Sequence, residues 1–496
     1  MISRRTVILF LLAFCFHKTP GLFAAKTKAK DRTETPSYTC SNPSFSAHAE
    51  MIMRILEKKG LDREQSGMVI VSADSPDPLF AYHADLPLLP ASVMKAFTTA
   101  AALHYLKPEY VFSTVLSADA LPEQGVIRGN LYLKASGDPF FTPEQMHAFA
   151  ARMAFEGIHA LRGTLIVDTT VQEAELYPSA WDVEDIGETY APPLSPLSYA
   201  FNAFALRMVG GNSPDRKPDI EIMPDLPMFH VANNALVTAK GKTRLSVTVV
   251  DPAPDGGVAV MVDGTITAGD TFRNYLTIKR PAEYFLAAFF AALRQEGIET
   301  DLMVRFGAMP AEANVLITQE SLPLGVLIRN MNLVSNNFMA ELILRQTGGQ
   351  VFGFPGSTEK GVRALQQFLE EIGIPPAAHE QWDGSGLSKR NRSTAMVIAR
   401  LFLAMRARYD IGPDFMAALS TNGGEGTLAA QIKEPEYYRR FRAKNGALRG
   451  VYAAGGYLTT LSGKQLVVVF MLNNAALSFA NLQEVGNDII KTVVLY

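Results

Sequence analysis

Apolar residues fall at helical spacing over residues 46 to 59, then regroup into two short runs, Gly67-Met-Val-Ile-Val-Ser-Ala73 and Leu79-Phe-Ala-Tyr82, separated by the turn-forming Ser75-Pro-Asp-Pro78. The change of period, from about 3.6 to about 2 residues, predicts an amphipathic helix followed by a strand pair. Between Leu88 and Leu106 the pattern shifts again. Val93, Met94, Phe97, Ala100, Ala101, Leu103 and Leu106 leave little polar face, Pro90 suits the start of a helix and Pro108 its end, so this helix is expected to be buried.

From about 110 to 320 short strand-like runs dominate: Val126 to Leu133, Gly163 to Val167, Leu245 to Val250 and Val258 to Val262, with few helices among them, such as 282 to 296. Helical spacing returns at 325 to 347 and 357 to 372. A strand-like run from Arg442 to Tyr452 precedes a hairpin of Gly450 to Thr459 and Gln465 to Leu472 around Ser462-Gly-Lys464, and a terminal helix is expected near 478 to 493. The strand-rich section from about 110 to 320 is expected to contain one or two inserted domains.

Length and composition narrow this picture. The 496 residues suit about three domains, or one domain with a large insertion. With 48% hydrophobic and 19% charged residues and a formal net charge of -3, the chain reads as globular and gives no reason to expect nucleic acid. Arg4 and Arg5, the apolar run Val7 to Phe16 and the small Ala24 and Ala25 predict a secretory signal peptide over 1–25. Its apolar core is short for a membrane span, and bulky Phe14 before Cys15 argues against a lipid anchor. Residues 26–45, rich in Lys, Thr, Pro and Ser, are expected to be a flexible leader. Cys40 would then be the only cysteine of an exported, periplasmic protein, with no intramolecular disulfide.

Within the buried helix, Ser92 and Lys95 stand three residues apart and so share a face. Burying an ammonium is costly, and a lysine escapes the cost by losing its proton. A pKa moved from about 10.4 to about 7 corresponds to roughly 4–5 kcal/mol, with desolvation, the helix N-terminus and a nearby cation all pushing that way. A neutral amine beside a hydroxyl is a general base beside a nucleophile. The alternative is a capping serine and a lysine that reaches water, and the pattern recurs at Ser357-Thr-Glu-Lys360, where Ser357 reads as a helix N-cap. A nucleophile of this kind needs a proton relay, a cation for an anionic substrate and oxyanion donors. Ser335-Asn-Asn337 and Lys444-Asn-Gly446 are candidates, each with a chance echo, at Ser420-Thr-Asn422 and Lys58-Lys-Gly60.

Order and surrounding text carry more weight. Pro90-Ala-Ser-Val-Met-Lys95, Thr98 to Leu103, Gly129-Asn-Leu-Tyr-Leu133, Gly137-Asp-Pro139, Met331 to Asn337, Ala340-Glu341, Asp383-Gly-Ser-Gly-Leu-Ser388, Gly426-Thr-Leu428, Arg442-Ala-Lys444 and Leu448-Arg-Gly-Val451 span most of the chain. Together they resemble the penicillin-binding D-alanyl-D-alanine carboxypeptidases/endopeptidases with a large insertion between their first two motifs. The resemblance implies an α+β fold, a penicillin-binding transpeptidase/beta-lactamase-like catalytic domain of helices on an antiparallel sheet, from 46–112 plus 321–496, interrupted by a large strand-rich insertion of accessory domains over 113–320. It implies an acyl-enzyme on Ser92 with Lys95 as base, and Ser335 as proton relay. Asn337 would hold Lys95 and the substrate, and Lys444 would keep Lys95 neutral and attract a terminal carboxylate. The N–H groups of Ser92 and Ala447 would form the oxyanion hole. Peptidoglycan stem peptides would be substrates and beta-lactams covalent inhibitors, with no metal or other cofactor.

The third motif departs from the family pattern of lysine, threonine or serine, glycine, then threonine or serine. Lys444-Asn-Gly446-Ala447 lacks two hydroxyls. The Asn445 amide can replace one donor, and losing a charge-assisted hydrogen bond costs about 1.5–3 kcal/mol. The competing reading is a weak or inactive homologue that binds cell-wall peptides. A beta-lactamase shares the chemistry but needs no 240 residues between Lys95 and Ser335. Gly384-Ser-Gly386 reads as a turn, Gly424-Glu-Gly426 lacks a preceding strand, and the eight histidines show no metal-ligand spacing.

Overall fold

The strand Gln465–Asn473 is apolar on both faces because helices cover both. Val467, Val469 and Met471 enter one core, and Leu466, Val468, Phe470 and Leu472 the other. In the computed structural model, which describes residues 38–61, 65–75 and 77–496, this strand is the middle of a seven-stranded sheet. The order is Tyr38–Thr39, Pro78–Tyr82, Ser66–Ser72, Gln465–Asn473, Val451–Thr459, Phe441–Leu448 and Ser420–Thr421, antiparallel throughout. Ser46–Lys58 and Phe479–Val494 pack on one face. Met94–Tyr105, Ala395–Ala407, Leu324–Val334 and Asn337–Phe352 build the other core.

Alternation alone does not fix register in strands buried on both sides, so the hairpin turn does. Thr460 N–H bonds the Lys464 carbonyl, the Thr460 hydroxyl accepts from Lys464 N–H, and Gly463 takes φ 87°. The expected continuous run Arg442 to Tyr452 is broken: Phe441–Leu448 and Val451–Thr459 are separate strands, and Gly450, at φ 72°, turns the chain between them. The apolar pattern runs through that turn and conceals it.

The last part of the expected flexible leader is also ordered. Tyr38 and Thr39 pair with Tyr82 and Ala81, and Asn42 caps a short 3-10 turn, Pro43–Phe45, that buries Phe45 against Phe80 and Tyr496. Two isolated aromatics give no periodicity, and their partners lie far along the chain. Residues 1–25, expected to be a signal peptide, lie outside the described residues. Among the described residues no helix is long and apolar enough to cross a membrane.

The strand-rich section has its own core, whose buried residues run from Leu116 to Ile317. A five-stranded sheet, in the order Glu299–Phe306, Ala160–Asp168, Val126–Ala135, Ser113–Ala118 and Asn314–Glu320, packs with helices Pro143–Phe155 and Pro281–Gln295. Two smaller sheets complete it. Its entry and exit strands are paired, Ser113 opposite Glu320, so the chain leaves and returns at neighbouring points.

Candidate active site

Ser92 sits in a 3-10 turn, Ala91–Val93, that runs directly into the helix Met94–Tyr105. Ala91 is held at φ 48°, a left-handed conformation costly for a residue with a Cβ. Two close approaches hold the turn. A Cβ on Gly386 would lie 2.0 Å from the Ala91 carbonyl oxygen, and one on Gly446 would lie 2.6 Å from Ser92 N and 2.7 Å from the Pro90 oxygen. Only glycine lets the loop and the strand approach so closely. The strand Phe441–Leu448 therefore runs flush against the backbone of Ser92 at Gly446, the residue before Ala447.

Lys95 is fully buried and meets three groups: Ser92 Oγ at 2.9 Å, Asn337 Oδ1 at 2.6 Å and the Ser385 carbonyl at 2.6 Å. Burial pulls its pKa down to about 7, against the opposing charges of Asp383 and Glu341. In the neutral form its two hydrogens satisfy Asn337 and Ser385, leaving the lone pair for the Ser92 hydroxyl.

The helix Leu324–Val334 ends at Ser335, which takes φ 56° as a left-handed cap, and Asn336 caps the next helix by accepting from Met339 N–H. That sharp junction turns Ser335 and Asn337 to the same pocket. Lys444 donates to Ser335 Oγ at 3.0 Å and to the Asn445 carbonyl at 2.5 Å. Its pKa falls well below the ordinary lysine value, through burial and then the charge of Lys95. For both amines burial is the largest cause of the lowered pKa, as expected for Lys95 from the apolar helix that carries it.

Asn445 is buried, and its side-chain oxygen accepts from the Thr427 hydroxyl. Thr427 also lies 3.2 Å from Ser420 Oγ. The Ser420-Thr-Asn422 echo is thus part of the wall beside the third motif, on a strand paired with Arg442 and Ala443. At the other echo, Ser357 caps the helix Thr358–Glu371 by accepting from Lys360 N–H at 3.1 Å, as its sequence context suggests.

Further contributors come from outside the three short motifs. The turn at Gly384-Ser-Gly386 supplies the carbonyl that Lys95 touches. Asp383 holds that turn, accepting from Gly386 N–H, Ser388 N–H, Asn391 Nδ2, the Ser385 hydroxyl and Trp181 Nε1. The section between the sheets adds Trp181 and the Tyr190 carbonyl, which accepts from Asn337 Nδ2 at 2.9 Å. Both approach from about 150 to 200 residues away along the chain, so only the fold reveals them.

A family model described as the D-Ala-D-Ala carboxypeptidase 3 (S13) family matches residues 48–494. The chain is 29% identical over 429 residues to a D-alanyl-D-alanine carboxypeptidase of Actinomadura sp. (strain R39), covering 84% of this chain and 79% of that one. It is 24% identical over 443 residues to the D-alanyl-D-alanine carboxypeptidase DacB of Haemophilus influenzae, covering 88% and 90%. Penicillin binding protein 4 (dacB) from Haemophilus influenzae superposes with a TM-score of 0.77 at 22% identity, over 90% of this chain and 99% of that chain. The shared fold confirms the α+β, penicillin-binding architecture.

Proposed function

Because the chain belongs to the D-Ala-D-Ala carboxypeptidase 3 (S13) family of serine peptidases, we propose that it removes the terminal D-alanine of peptidoglycan stem peptides through an acyl-enzyme on Ser92. Lys95 takes the Ser92 proton as Oγ attacks the carbonyl carbon of the penultimate D-alanine, and the new oxyanion is received by the N–H groups of Ser92 and Ala447. As the C–N bond breaks, Ser335, hydrogen-bonded to Lys444, gives its hydroxyl proton to the departing amine and recovers one from the Lys95 ammonium, which leaves Lys95 neutral again. Lys444 and the Asn445 amide receive the substrate's carboxylate. Water then attacks the ester with Lys95 again as base, releasing the shortened peptide and restoring Ser92. The observation that carries this reading is the contact of a buried amine with Ser92 Oγ while Asn337 and Ser385 occupy its two hydrogens.

A beta-lactam carbonyl meets the same nucleophile and is predicted to stay attached as an ester. Cleavage of D-alanyl-meso-diaminopimelate cross-links would use the same steps with a bulkier leaving amine. Mass analysis of fragments from digested sacculi separates the two modes. On this reading the protein works in the periplasm, which the signal-peptide pattern of residues 1–25 supports.

The test is incubation with a labelled penicillin. An adduct is expected on the peptide containing Ser92 in the wild type, and none in Ser92→Ala. A wild type that stays unlabelled at saturating reagent would contradict the reading and leave a protein that binds wall peptides without reacting.

A further inference from the structure

The helix Asn337–Phe352 places Asn337, Glu341 and Arg345 four residues apart along one side, with Asn337 at the Lys95 end. Asn337 and Arg345 have evident partners. Arg345 is committed to the Glu175 carbonyl at 2.7 Å and to Thr358 Oγ1 at 3.2 Å, with Glu175 Oε2 at 3.4 Å. Glu341 lies between them with no exposure at all. Its Oε2 accepts from Gly384 N–H at 2.9 Å, and its Oε1 has no hydrogen-bond partner.

That single bond holds a specific point. A Cβ on Gly384 would lie 2.7 Å from the Ala340 carbonyl oxygen, so the loop rests directly on this helix. Gly384 accepts from Thr98 Oγ1 at 2.7 Å through its own carbonyl, and the next carbonyl, that of Ser385, receives Lys95. We propose that Glu341 is a positioning residue for Lys95, held as the neutral acid and anchoring Gly384 so that the Ser385 carbonyl meets the amine. This rests on the reading of Lys95 as the general base.

The charged groups that face Glu341 are Asp383 on the loop, Arg345 on its own helix and Lys95 on the helix Met94–Tyr105. Arg345 is spent elsewhere, so a charged Glu341 would rest on Gly384 N–H and on a Ser385 hydroxyl that Asp383 also claims, while fully buried, a costly state. Burial first, and then the charge of Asp383, raise its pKa to about 8, against Gly384 N–H, the Ser385 hydroxyl and Arg345. Neutrality also serves the base. An ionised Glu341 beside Asp383 would place two negative charges near Lys95, and both favour its protonated form.

Two variants and one spectrum test this. Glu341→Gln keeps a neutral acceptor for Gly384 N–H and is expected to be labelled by penicillin within about threefold of the wild-type rate, with the acid limb of the pH–rate profile in place. Glu341→Ala loses the acceptor and is expected to fall roughly tenfold or more, a loss that the glutamine variant rescues. Infrared spectroscopy of the wild type at neutral pH should show a carboxylic-acid carbonyl band that disappears as pH rises beyond about 8 and is missing from Glu341→Gln. A fully active alanine variant overturns the proposal. So does an acid limb lowered by about one pH unit in the glutamine variant, which would mean that a charge had been removed. If neither variant folds, the wild-type titration decides alone, and absence of the band overturns the proposal. Because the spectrum needs no turnover, it reports on Glu341 even if Ser92 proves unreactive.

Discussion

At Asn445 the chain carries an amide where a hydroxyl is usual for its family, and the structure shows what accompanies the exchange. Its side-chain oxygen is occupied by Thr427, and we propose that its Nδ2 hydrogens donate to the substrate's carboxylate. Asn445→Ala is expected to lower kcat/KM for a peptide ending in D-Ala-D-Ala by about tenfold to a hundredfold, the worth of one hydrogen bond to a charged group. A peptide amidated at its C-terminus, which offers no carboxylate, should be equally poor with either protein. An unchanged kcat/KM for the free acid would remove Asn445 from the binding site. Residues such as Ser92, Lys95, Ser335, Asn337 and Lys444 are legible in the sequence because each sits in a short stretch of characteristic text. Trp181 and the Tyr190 carbonyl are not, because what defines them is a partner brought near only by folding; Glu341 and Thr427 stand in characteristic stretches, but their contacts with Gly384 and Asn445 do not show there.

Elements place these groups through close approach more than through side-chain chemistry. The strand Phe441–Leu448 can touch the Ser92 turn because position 446 has no side chain, and its pairing with Ser420–Thr421 ends at Ala443, leaving Lys444 onward as a free edge among the described residues. Gly446→Ala would drive a methyl group to 2.6 Å from Ser92 N. The strand or the turn must then shift, at a cost of about 1–3 kcal/mol. The expected outcome is a protein that still folds, with a lower melting temperature and penicillin labelling reduced by about a hundredfold or more, since a displacement of about an ångström at the reacting atoms has that effect. Labelling at the wild-type rate would show that the strand does not form the oxyanion site. The strands themselves are readable as apolar runs bounded by turns, such as Val258 to Val262 within Val258–Thr267. Less legible is the helix Pro143–Phe155, which links the parallel strands Val126–Ala135 and Ala160–Asp168, because its apolar residues do not stand out from the strand-rich text around it.

For the whole molecule, the decisive property is how completely Lys95 is removed from water, and no single element achieves this. The helix Met94–Tyr105 carries the amine, the helix Asn337–Phe352 and the loop from Asp383 cover it, and the section between the sheets reaches in through Tyr190 and Trp181. We propose that residues 113–320 act as an accessory insertion that completes this enclosure as well as shaping access to the cleft. Its strand content can be read from the sequence. Its contacts with the pocket cannot, since they involve a backbone carbonyl and an indole in a stretch without regular structure. The account as a whole predicts that the Lys95 amine sheds its proton at near-neutral pH, so that acylation rises as pH passes through about 7 and then levels off. The most direct test is an NMR titration of isotope-labelled lysine side chains, with Lys95→Ala assigning the signal. The Lys95 resonance is expected to titrate near 7, and persistence of the charged form toward the ordinary lysine value of 10.5 would contradict the account.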